Sequence, residues 1–85
     1  MKILCITESL GSGGAERQLV RLATLFKREG HEVNFLVYEE NEFYEKDLVN
    51  NGIKIIKIYN CSAIQRIIRI RRITRQGNYG LLISF

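Results

Sequence analysis

The fold is decided by the stretch Lys2-Ile-Leu-Cys-Ile-Thr7 and by the glycine-rich segment Glu8-Ser-Leu-Gly-Ser-Gly-Gly14 that follows it. The first stretch is a nearly continuous apolar run rich in β-favouring residues, which is typical of a strand buried on both faces. From Ala15 to Glu29 the spacing of apolar residues changes to the period of a helix, and Gly30 follows as a predicted C′ residue. The segment therefore predicts a strand, a loop and a helix.

The rest of the chain repeats this alternation of strands and helices. Apolar runs predict further strands at 32–38, 53–59 and 81–85, and helical spacing predicts helices at 43–51 and 62–76, the latter capped by Ser62. The predicted order is β-α-β-α-β-α-β. Strands that alternate with helices favour a parallel sheet, so we expect an α/β fold with a Rossmann-like sheet.

The length of 85 residues allows one small domain. We expect residues 1–85 to be part of a domain of a longer enzyme, because the last predicted strand has no helix after it to cover it. The alternative is a complete miniature domain with four strands.

Charge is distributed unevenly along the chain, whose formal net charge is +4. All nine acidic residues lie at or before Asp47, and the residues from Gly52 onward include seven Lys and Arg side chains. Such a basic segment can meet phosphates or anionic lipid. No segment has the pattern of a signal peptide or of a membrane span, so we expect a cytoplasmic protein. Cys5 reads as a core residue, and the sequence contains no zinc-ligand spacing, so we expect neither metal nor cofactor.

The predicted loop contains Gly11, Ser12, Gly13 and Gly14 and leads into a helix N-terminus. Free N–H groups and the helix dipole at such a terminus attract anions, and glycines let the backbone approach a ligand closely. The dinucleotide pattern G-x-G-x-x-G would need a small residue where Glu16 stands, and the P-loop pattern would need a lysine. Neither pattern fits. The loop is either a binding loop of another kind or a purely structural turn.

Residues 6–23, I-T-E-S-L-G-S-G-G-A-E-R-Q-L-V-R-L-A, with G-H-E-V at 30–33 and G-I-K at 52–54, closely resemble the N-terminus of glycosyltransferase family 4. The segment Y-G-L-L-I-S-F at 79–85 is similar to a strand of that family, with Gly80 where Asp is usual. The resemblance covers nearly the whole chain. It implies the GT-B fold, in which two Rossmann-like domains face each other across a cleft, with this chain as part of the N-terminal, acceptor-side domain.

The resemblance also implies a function and a site. The function is transfer of a sugar from a nucleotide-sugar donor to a glycan or lipid-linked acceptor, and the chain would be inactive without the donor domain. By the resemblance, Gly13 and Gly14 would lie nearest the donor diphosphate, flanked by Gly11 and Ser12. It places the family's catalytic residues beyond Phe85, so no residue of this chain is assigned a catalytic role. The alternative function is that of a small non-catalytic α/β module that assembles with a partner chain.

The third predicted helix interleaves isoleucines with arginines. One interpretation is that the isoleucines cover the sheet and the arginines are solvated. The other is peripheral contact with an anionic membrane at the inner face through Arg66, Arg69 and Arg72. Nucleic acid is not expected as a partner, because no recognition motif or aromatic stacking platform accompanies the arginines. His31 is expected at the amino end of the strands, away from the predicted loop.

Overall fold

The computed structural model describes residues 1–11, 13–41 and 43–84. The predicted order of strands and helices is confirmed. The elements are β1 (Lys2–Thr7), α1 (Gly14–Arg28), β2 (Glu32–Val37), α2 (Glu45–Asn50), β3 (Lys54–Lys57), α3 (Ala63–Gly77) and β4 (Leu81–Ser84).

The strands form one parallel sheet, which contains four strands within the described residues, in the order β3-β2-β1-β4. Lys2 pairs with Glu32 in β2, and Ile3 pairs with Leu81 in β4. The predicted fold class, an α/β fold with a Rossmann-like parallel sheet, is therefore confirmed. The order corresponds to four adjacent strands of the six-stranded dinucleotide-binding sheet.

The core lies on both faces of this sheet, because successive side chains of a strand point to opposite faces. On one face, Ile3 and Cys5 of β1 pack with Phe35 of β2 and with buried residues of α1 and α2. On the other face, Leu4 and Leu36 are buried, and α3 covers them in part. This explains why the first strand reads as a continuous apolar run. Burial raises the pKa of the Cys5 thiol to about 11, which agrees with its predicted place in the core.

Glycines mark two of the helix ends as the sequence indicates. Gly30 has a φ of 93° directly after the C-cap residue of α1, and Gly52 has a φ of 75° after α2. This left-handed region is accessible to glycine at low steric cost. The prediction that α2 begins at Phe43 is wrong by two residues, because Phe43 is exposed and Tyr44 is the N-cap of the helix.

The third strand is shorter than predicted. One more backbone bond follows it, from the N–H of Ile58 to the carbonyl of Val37 (3.0 Å), and then Asn60 turns the chain with a φ of 60°. At the start of α3, Ser62 caps the helix as predicted: its hydroxyl accepts a hydrogen bond from the Gln65 N–H (3.3 Å). The Gln65 side chain accepts one from the Ser62 N–H (3.2 Å), which completes a capping box.

The prediction that the isoleucines of α3 cover the sheet is only partly correct. Ile70 and Ile73 pack against the Leu4 cluster, but Ile64, Ile67 and Ile68 are 72%, 59% and 51% exposed. At 3.6 residues per turn, Ile68 lies about 160° around the helix axis from Ile70, so one sheet cannot cover both. None of the α3 residues is fully buried. Among the described residues, no helix is long and apolar enough to cross a membrane.

Candidate functional site

The loop between β1 and α1 lies at the carboxyl edge of the sheet, as the sequence predicts for a strand-to-helix connection. Its first residue is tied to the end of β2: the carbonyl of Glu8 accepts hydrogen bonds from the N–H groups of Tyr38 (3.0 Å) and Glu39 (2.7 Å). In open parallel α/β sheets, ligands bind in a crevice outside this edge. The loop is therefore at the correct end of the sheet to bind one.

Gly11 belongs to the packed part of this loop and is buried. The neighbouring Leu10 is fully buried, donates its N–H to the carbonyl of Asn41 (3.0 Å) and accepts a hydrogen bond from the N–H of Tyr44 (3.1 Å). A β-carbon at Gly11 would lie 2.9 Å from the side-chain amide nitrogen of Asn41. Close approach of the β2–α2 connection therefore explains this glycine, and it faces protein rather than solvent.

Gly13 and Gly14, in contrast, are exposed at the start of α1. Gly13 is the N-cap residue with extended backbone, and no side chain within the described residues caps the helix there. A β-carbon at Gly14 would meet no described atom within 4 Å. Nothing in the fold explains the absence of a side chain at this position, and the first N–H groups of α1 are open to a ligand. Ser12, the remaining predicted site residue, lies outside the described residues.

Glu16 lies in the first turn of α1, and its carboxylate occupies the space where a β-carbon of Gly13 would stand. A negative side chain at this position interacts favourably with the helix dipole. An incoming phosphate would have to displace the carboxylate, which is the end of a flexible side chain. A sugar hydroxyl could instead donate to it.

A second concave surface lies at the ends of β2 and β3. It encloses a cavity of about 370 Å³, whose lining includes Tyr38, Glu39, Glu40, Tyr59 and Asn60. The sequence analysis did not identify this cavity. The available signal was that a tyrosine follows each of two neighbouring strands, but only the sheet order shows that the two strand ends lie side by side.

The predicted membrane-facing arginines do not form one group. Arg66 lines the cavity between the ends of β2 and β3, half-buried, with its guanidinium 4.3 Å from the centre of the Tyr38 ring. Arg69 is exposed and donates from Nη1 to the Cys61 sulfur (3.2 Å), and Arg72 is also exposed. Arg66 is thus engaged within the fold, whereas Arg69 and Arg72 are accessible from outside.

His31 lies at the amino end of the strands, as expected. Its Nδ1 is 3.1 Å from the amino group of Met1, and its ring contacts the edge of Phe26. It is therefore remote from the glycine loop. Among residues 1–11, 13–41 and 43–84, no three His, Cys, Asp or Glu side chains are placed to hold a metal ion.

Comparison with known proteins gives one relevant similarity. The chain is similar to a Campylobacter jejuni enzyme named GalNAc-alpha-(1->4)-GalNAc-alpha-(1->3)-diNAcBac-PP-undecaprenol alpha-1,4-N-acetyl-D-galactosaminyltransferase. The two are 30% identical over 95 residues, an alignment that covers all of this chain and 26% of the relative. The chain thus spans about a quarter of that glycosyltransferase. No family model matches the chain. No solved structure matches it significantly.

Proposed function

We propose that this chain is part of a glycosyltransferase that transfers a sugar from a nucleotide-sugar donor to a glycan or lipid-linked acceptor. The observation that carries the proposal is the exposed Gly13–Gly14 backbone at the carboxyl edge of the sheet, where no packing requirement explains the glycines. The similarity to a glycosyltransferase over the whole chain supports the same enzyme class.

The topology supports a binding crevice next to this loop. Helix α1 packs on one face of the sheet and α3 on the other, and β1 and β4 are the neighbouring strands at the centre of this change. A parallel sheet opens a crevice at its carboxyl edge where the connections diverge to opposite faces. The loop that follows β1 borders this point.

In the proposed mechanism the chain binds and orients, and it supplies no catalytic side chain. The open N–H groups at the start of α1 would donate hydrogen bonds to the departing nucleoside diphosphate, whose negative charge grows as the glycosidic bond to the donor sugar breaks. Residues 1–85 would form part of the acceptor-side domain of a GT-B enzyme, and a second domain would hold the donor. The proposal assigns neither a metal nor a cofactor to this chain.

Exchange of segments tests the proposed function. Residues 1–85 would replace the matching segment of the Campylobacter relative, and transfer would be measured with the donor and acceptor of that enzyme. We expect the folded chimera to transfer the sugar, and we expect the 85-residue chain alone to transfer none, because it lacks a donor domain. A chimera that unfolds as cooperatively as the parent enzyme but transfers no sugar would contradict the proposal, as would transfer by the isolated chain.

The outward surface of α3 supports a second part of the proposal, peripheral contact with the inner face of a membrane. Exposed isoleucines occupy its first half, and Arg69, Arg71, Arg72 and Arg75 are exposed in the remainder. Exposed apolar side chains next to cationic ones suit the boundary between lipid chains and anionic headgroups. Such contact would bring the loop at the sheet edge close to a lipid-linked acceptor.

A further inference from the structure

The cavity at the ends of β2 and β3 is well defined by the backbone that surrounds it. Tyr38 and Glu39 both donate their backbone N–H groups to the carbonyl of Glu8, which fixes the wall on the side of the glycine loop. On the other side, the left-handed backbone of Asn60 turns the chain after β3. The volume of about 370 Å³ lies within the range of small-molecule sites.

The chemistry of the lining suits a neutral ligand with many hydroxyl groups. Two half-buried tyrosines, Tyr38 and Tyr59, provide apolar ring surface. The exposed carboxylates of Glu39 and Glu40 accept hydrogen bonds, and the Asn60 amide both donates and accepts. A pyranose ring presents the matching groups, C–H bonds on one face and hydroxyls around its edge.

The charges of the lining argue against a phosphate. Two carboxylates face a single guanidinium, that of Arg66, and this guanidinium is already placed over the Tyr38 ring. The Nε of Arg66 is buried and has no hydrogen-bond partner among the described residues, so a ligand oxygen that reached it would satisfy a donor. An anion would gain from one cation and be repelled by two acids.

We infer that this cavity binds a sugar ring of the acceptor, directly beside the loop proposed to face the donor. The inference rests on the proposed glycosyltransferase function and adds the place and the chemical class of the acceptor group. Because the Glu8 carbonyl joins the two walls, a sugar in the cavity would lie next to the glycine loop. An incoming donor sugar would then meet the hydroxyls of the acceptor.

Nuclear magnetic resonance titrations of the 85-residue chain test the inference without transfer activity. The probes are the methyl α-glycosides of glucose, galactose and N-acetylgalactosamine, with inorganic pyrophosphate as the anionic competitor. We expect saturable shifts of the Tyr38 and Tyr59 ring signals with at least one glycoside, and no displacement by pyrophosphate. Replacing both acids, Glu39→Gln with Glu40→Gln, should weaken binding about tenfold.

The matched control is Glu29→Gln, which neutralises an exposed carboxylate at the opposite edge of the sheet and should leave the affinity unchanged. The inference is overturned if no glycoside gives saturable shifts, if pyrophosphate displaces the glycoside, or if the control weakens binding equally. Failure here with an active chimera would reject the sugar site and leave the proposed function in place. Glycoside binding with an inactive chimera would do the reverse.

Discussion

Gly14 and Gly30 flank the same helix, and both are exposed, but the fold requires a glycine only at Gly30. Gly30 has a φ of 93°, which a residue with a β-carbon rarely adopts, whereas Gly14 is the first helical residue and has open space around it. The conservation of helix geometry alone would thus favour alanine at position 14. This contrast is the reason for assigning Gly14 to a ligand.

The same substitution should therefore change stability in opposite directions at these two positions. Gly14→Ala is expected to raise the free energy of unfolding by about 0.5–1 kcal/mol, because alanine loses less backbone entropy in a helix. Gly30→Ala is expected to lower it by about 1 kcal/mol or more, because of the left-handed backbone. Urea denaturation measures both. A loss of stability in Gly14→Ala would show that a structural requirement explains this glycine.

At the scale of residues, the sequence predicts where the glycine loop lies but not how its members divide. Gly11 is buried against Asn41, which belongs to the connection after β2, whereas Gly13 and Gly14 face outward. This difference depends on a contact between segments about 30 residues apart in the chain, which no local pattern contains. The tyrosines of the cavity were missed for a similar reason, because their proximity follows from strand order.

At the scale of elements, α3 shows what periodicity can and cannot predict. Its start at Ser62 was predicted from capping chemistry, and the capping box confirms it. Its packing was not, because isoleucines at 64, 67, 68, 70 and 73 spread around the helix rather than along one face. The helix consequently carries exposed apolar side chains beside exposed arginines.

Binding to lipid vesicles tests the outward surface of α3. Vesicles that contain anionic phosphatidylglycerol should bind the chain, and binding should weaken as salt is raised, because exposed charges are screened. The double reversal Arg69→Glu with Arg72→Glu should lower the partition coefficient by about 30-fold or more at low salt, at roughly 1 kcal/mol for each basic residue lost. Co-sedimentation with vesicles measures this change.

The control for vesicle binding is the double reversal Arg21→Glu with Lys54→Glu, which changes the net charge equally at exposed positions on α1 and β3. It should reduce binding far less than the reversal on α3. Equal losses in the two double variants would show that net charge, and not the surface of α3, governs the attraction. Binding to neutral vesicles as strong as to anionic ones would also contradict the proposed contact.

At the scale of the whole molecule, the sheet order turns an uneven charge distribution along the chain into two different surfaces. Helices α1 and α2, which carry acids in their first turns, pack on one face, and the acid-free α3 lies over the other. The parallel sheet and the order of elements could be predicted from the sequence, because the apolar period alone separates strands from helices here. The membership of a GT-B enzyme and the role as an assembling module both remain predictions.

The most direct test of the central claim is the sugar-transfer efficiency of the chimera with Gly14→Val, compared with Gln18→Val on the exposed side of the same helix. If the Gly14 backbone lies against the donor diphosphate, a side chain there should lower kcat/KM by about 100-fold through displacement of the reacting groups. The control at Gln18 should leave kcat/KM nearly unchanged. A folded Gly14→Val chimera that transfers sugar as efficiently as the control would contradict the assignment of this loop to the donor.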